Sequence, residues 1–157
     1  YVGFSWQQIG VIFTVMLLPF LLFELPIGTL ADKKYGEKEI MSIGFIIMIL
    51  STFSIPLFQT TSIVAWCIIL FLTRVGASFV EITAESYFFK HVNEHNAGLI
   101  SLFRMARPIA YMTAPVAVTI SLYLLSAENA PYSYIFSVLG VLMIVGLLYS
   151  SILTDTK

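Results

Sequence analysis

An all-helical protein of several membrane-spanning segments is the fold class this sequence predicts, on three observations. The 157 residues are 59% hydrophobic and 11% charged, where a globular domain carries about 25% charged residues. Mean hydropathy is +0.93. The few charges fall in short islands between long apolar runs, which would lie uncovered in water. The bilayer interior has no water to satisfy backbone groups, so each run must pair its own N–H and C=O groups as a helix.

A span needs about 20 mostly apolar residues to cross roughly 30 Å of hydrocarbon. Five segments qualify, at 7–30, 40–58, 63–89, 98–125 and 132–153, and together they read as one transmembrane domain. In the first, the run Ile9 to Ile27 holds Glu24 as its only charge, with Pro19 and Pro26 inside it. The second has no charge from Ile40 to Phe58, and Pro56 marks its end. The third is long and carries Arg74, Glu81 and Glu85, with the single cysteine, Cys67, as a small apolar packing residue. The fourth holds Arg104 and Arg107 followed by Pro108 and Pro115, and Pro131 opens the fifth, where its missing N–H costs nothing. Intramembrane prolines are tolerated where neighbouring helices satisfy the freed groups, and they predict kinked helices in a protein that rocks.

The connections, 31–39, 59–62, 90–97 and 126–131, are short. Lys33, Lys34, Lys38, Lys90 and Lys157 all fall on one side, and Glu128 is the only charge on the other. Under the positive-inside rule the lysine side is cytoplasmic, with residue 1 outside and the C-terminus inside. The expected location is the plasma membrane.

The first connection carries the most specific motif: Gly28-x-x-x-Asp32-Lys33-x-x-Gly36-Glu37-Lys38. Gly28 lets two helix ends approach closely, as small residues do in membranes. Gly36 can take a left-handed conformation that ends a turn, and Asp32 can sit against a helix N-terminus, where the dipole favours an anion. This loop resembles the signature loop of the major facilitator superfamily, and Leu30-Ala31-Asp32-Lys33 matches it directly. One extra residue before Gly36, and Glu37 where an arginine is commoner, give the looser form seen between helices eight and nine of a twelve-helix transporter. Arg74, Gly76, Ala77 and Ser78 are similar to the arginine motif of the family's fourth helix or its tenth-helix counterpart. Ala114-Pro115 is all that stands where some family antiporters carry a Gly-rich signature on helix five.

The resemblance implies a secondary transporter that moves a small polar solute by alternating access, with Gly28, Asp32, Lys33, Gly36, Glu37 and Lys38 forming a cytoplasmic gating loop. The chain starts at Tyr1 without an initiator Met. The expectation is therefore a piece of a longer protein, helices two to six or, by its loop form, eight to twelve. The other half of the transporter would be its main partner, beside membrane lipid and an unknown solute.

Ionisable groups inside spans are expensive and mark function by default. Six are expected here: Glu24, Arg74, Glu81, Glu85, Arg104 and Arg107. Arg74 and Glu81, seven apart, drift only about 20° around a helix; Glu81 and Glu85, four apart, stack. Arg104 and Arg107 share a face of the fourth span. At 1.5 Å per residue Glu81 lies about 13 Å in from Lys90, and the two arginines about 10 and 15 Å in from Ala97. Glu81 can thus meet Arg104 or Arg107, with Glu24 at a similar level. Such a set can bind a polar solute or carry a coupling proton, or it can be a fixed network holding helix ends together. Tyr111, one turn past the arginines, can line the same cavity.

His91-Val-Asn-Glu94-His95 spells a zinc-peptidase pattern, but it falls in a loop with no other histidine in the chain, so neither a metal nor any other cofactor is expected. Trp6, Trp66, Tyr132 and Tyr134 stand near span ends as interface anchors, with Tyr123 deeper. The charge pattern offers nothing to nucleic acid. No convergent nucleophile suggests an enzyme; the alternatives to a transporter are a non-transporting scaffold or receptor-like relative and, more remotely, an intramembrane enzyme.

Overall fold

A computed structural model describes residues 3–31, 35–58, 61–92, 96–124 and 133–153. It holds five helices: α1 (Trp6–Leu30), α2 (Glu37–Ser54), α3 (Ile63–His91), α4 (Ala97–Leu124) and α5 (Ser133–Ile152). The family of expected spans is thus all-helical, with two shifted ends. Helix α2 starts at Glu37, inside the expected loop, and α3 continues through Lys90 and His91.

Local chemistry explains the boundaries. Ser5 caps α1 in a reciprocal box: the Gln8 N–H donates to Ser5 Oγ at 3.3 Å, and the Ser5 N–H to Gln8 Oε1 at 2.8 Å. Gly36 precedes α2 at φ +91°, ψ 160°, a region open essentially to glycine alone. The residue is therefore more extended than the left-handed turn its position predicts, and it delivers Glu37 and Glu39 into the first turn of α2, the end that favours anions. Lys90 and His91 occupy the last turn of α3, where cations are favoured. Pro56 ends α2 in a short 3₁₀ turn, Ile55–Leu57. Pro19, Pro26, Pro108 and Pro115 lie within α1 and α4, and none interrupts its helix.

Helix α2 is the centre of the packing, with α3 on one side and α5 on the other; α1 packs on α3. The α2–α3 contact is backbone against backbone. A Cβ placed on Gly44 would lie 2.8 Å from the Gly76 carbonyl oxygen, and one on Gly76 2.6 Å from that of Gly44. Small residues let membrane helices close to this distance, where dispersion between backbones replaces the hydrophobic effect. Phenylalanines from α2 fill the glycines of α5: Phe45 covers Gly146 and Phe53 covers Gly140. The Ser42 and Ser150 hydroxyls, 3.2 Å apart, join the same two helices.

Ile27 and Ala31 of the first helix end and Ile40 of α2 form a buried cluster, capped by Phe23, Phe79 and Ile82. At the opposite end Trp66 meets Phe4 and Phe58 edge-on, with ring centres 6.4 and 6.5 Å apart. Among the described residues four helices are long and apolar enough to cross a membrane: α1, α2 with its 3₁₀ turn, α3, and α5 from Tyr134. Helix α4 has the length, 28 residues, but its two arginines and its polar residues lower its apolarity. It also stands apart from the packed block, and its surface from Met105 to Ala117 is exposed throughout.

Candidate functional site

Two charged sites flank α3, and the sequence anticipates only one of them. The unanticipated one joins the start of α2 to the end of α3. Glu37, expected in an aqueous loop, is a buried carboxylate, its side chain 2% exposed. It forms an ion pair with Lys90 and accepts a hydrogen bond from Ser86 Oγ at 3.3 Å. The correction has a simple cause: Gly36 turns the chain so that α2 begins one residue later, and its first side chain drops beneath the last turns of α3. Buried carboxylates persist where a cation and hydrogen bonds answer them. A glutamate replacing the commoner arginine, with a lysine seven residues before Ala97, was the available signal.

The second site lies between α3 and α4. Arg107 reaches both carboxylates of α3: its Nη1 stands 2.8 Å from Glu81 Oε1, and its Nη2 bonds Glu85. Two carboxylates one helical turn apart thus share a single guanidinium, whose planar fork suits that arrangement. The group borders an open cleft of about 270 Å³ lined by Met48, Ala77, Val80, Glu81, Ala84, Phe103 and Arg107. Just beyond Glu85, Phe88 and Phe103 stack face to face, with ring centres 4.0 Å apart and planes 8° apart.

The remaining expected residues are scattered. Arg104 is exposed and, like the partly buried Arg74 and the exposed Glu24, makes no ion pair among the described residues. Of the two arginines expected to share a face, only Arg107 therefore engages α3. Tyr111 is 75% exposed on α4 and lies outside the cleft lining. In the gating loop, Asp32 and Lys33 lie outside the described residues. Lys38 is partly buried. Gly28 has open space where a Cβ would point, so the close helix approach expected there is not seen; the close approach is at Gly44 and Gly76.

The histidine pattern divides as well. His91 belongs to α3, its Nδ1 2.8 Å from the Tyr87 carbonyl oxygen, while Glu94 and His95 lie outside the described residues. Cys67 is partly buried on α3.

A second cleft, about 230 Å³, separates α4 from α5 and is lined by apolar residues such as Val118, Ile135 and Leu142. None of its lining residues takes part in an ion pair among the described residues.

No curated protein and no solved structure matches the chain. The family model of the Major Facilitator Superfamily matches residues 1–156. Apolar helices of membrane length, a glycine-directed first turn and paired charges within the helical block agree with that match: the chain is an integral membrane protein and belongs to the major facilitator superfamily, a family of transporters.

Proposed function

We propose that this chain forms part of a secondary transporter that moves a small polar solute by alternating access, and that the Glu81–Glu85–Arg107 cluster is its coupling site. One observation carries the reading. Glu81, Glu85 and Arg107 are 33%, 44% and 46% exposed, within helices of 29 and 28 residues, and the proposed location is inside the membrane. Charges at that depth are costly against lipid, so they face protein or a water-filled cavity, and an open cleft borders these. A carboxylate whose arginine partner moves away changes its proton affinity, which makes Glu81 the proposed proton carrier.

The lysine-bearing end is proposed to face the cytoplasm of the plasma membrane, following the charge asymmetry of the connections. The nearly unpacked α4 is proposed to meet the other half of the transporter, across which the solute would pass, as in other members with a midplane site between halves. Arg74, Glu24 and Tyr111 would then contribute to that cavity from their own helices.

The test is uptake of a panel of labelled sugars, amino acids and organic acids into proteoliposomes holding the complete encoded protein, with an imposed inward proton gradient. We expect gradient-driven accumulation of at least one solute, lost in Glu81→Gln at an unchanged unfolding temperature. Accumulation that survives Glu81→Gln would remove the coupling role. Absence of any gradient-driven uptake would favour the non-transporting reading.

A further inference from the structure

Arg107 serves two carboxylates while Arg104, three residues away on the same helix, serves none among the described residues. The spacings on the two helices nearly match. Glu81 and Glu85 are separated by about 6 Å of rise, and Arg104 and Arg107 by about 4.5 Å. Helices α3 and α4 run in opposite directions around the 92–96 connection. Towards that connection, Glu85 therefore lies beyond Glu81, and Arg104 beyond Arg107. The two helices carry an antiparallel ladder of two carboxylates and two guanidiniums, and the present register uses one rung in common.

The Phe88–Phe103 stack marks the present register. With Phe103 level with Phe88, Arg107 falls level with Ala84, between the two glutamates, and Arg104 level with Tyr87. Arg104 thus stands about 3 Å of rise from Glu85.

We propose that α4 has a second register on α3, displaced about 3 Å away from the 92–96 connection. There Arg107 pairs with Glu81 alone, and Arg104 takes Glu85. Three features permit the shift. Both guanidiniums are on long side chains, so the 60° between them around the helix is within reach. Rings stacked face to face slide to an offset arrangement at little cost, since offset stacking is at least as favourable. Among the described residues α4 meets the block mainly through the ring stack and the guanidinium, so an axial displacement disturbs little other packing. The two registers trade one shared fork for two separate pairs, which is the discrete, two-state element a switching transition needs. Arg104 is thereby assigned as the positioning residue of the second state.

The inference concerns the cluster of the proposed transport function, but its test reads helix position and not uptake, so the two can fail separately. In the complete protein in lipid nanodiscs, with Cys67→Ser, spin labels go on Val64→Cys in α3 and Leu102→Cys in α4, both exposed and far apart along the axis. Arg107→Lys cannot fork across two carboxylates. It is expected to shorten the label distance by about 3 Å, one ladder step of rise. Adding Arg104→Gln is expected to abolish that shortening, and Glu85→Gln in place of Arg104→Gln to do the same. An unchanged distance in Arg107→Lys would overturn the second register. Shortening that persists in Arg107→Lys/Arg104→Gln would overturn the role of Arg104.

Discussion

Helix α3 holds α2 and α4, two of its partners, by opposite means. Its contact with α2 is glycine on glycine, with no room for a methyl group at Gly44 or Gly76, and it is fastened at the end by the buried Glu37–Lys90 pair. Its contact with α4 is a ring stack and a shared guanidinium beside an open cleft. The first interface is steep in distance, since backbone repulsion and dispersion both change within fractions of an ångström. The second is shallow, because half-exposed charges and stacked rings keep most of their attraction as they slide. One helix therefore presents a rigid face and a compliant face, and motion in this chain should concentrate at the compliant one.

The largest effect is expected where the rigid face is forced open. Gly76→Leu inserts a side chain against the Gly44 carbonyl and the Met48 backbone, neither of which can swing aside. A loss of about 3 kcal/mol is expected, read as a drop in unfolding temperature in detergent. Lys90→Met comes next, since it takes the Lys90 ammonium away from the buried Glu37 carboxylate. Because the lysine side chain is 38% exposed, the expected cost is about 2 kcal/mol, below the 3–5 kcal/mol of a fully buried pair. A restored unfolding temperature in Lys90→Met/Glu37→Gln would confirm the cause.

On the compliant face the effects shrink. Phe103→Ala removes the stack and should cost about 1 kcal/mol, while loosening α4 enough to speed amide exchange along it. Glu81→Gln leaves Arg107 its second carboxylate and should cost no more than about 0.5 kcal/mol, the scale of an exposed pair. The comparison fails if Phe103→Ala destabilises as strongly as Gly76→Leu. It sharpens if the two faces separate in exchange rate as well as in stability.

Much of this was legible from the residues in order. Glu81 and Glu85 four apart, and the antiparallel return to Arg107 at the same depth, required only helical rise and a short connection. The choice between Arg104 and Arg107 was not legible, because both lie within reach and the level is set by Phe103 resting on Phe88. In sequence Glu37 reads as part of an aqueous loop because its neighbours Gly36 and Lys38 do, and only the φ of Gly36 turns α2 inward one residue later. Gly28 and Gly76 look alike in sequence as small residues in a span. Which of them lies at a crossing depends on how the helices rotate about their axes, and apolar faces that are uniform all round do not encode that.

By itself the sequence determined that the chain is a helical membrane protein and to which transporter superfamily it belongs. Those properties follow from composition, run length and a local motif, which act along the chain. Only the tertiary structure decided which glycines touch, which carboxylate is buried and which arginine is shared. Those depend on distances between helices far apart in sequence, and in an apolar solvent the contacts that set them are close packing and a few polar pairs, neither of which leaves a periodic mark on the chain.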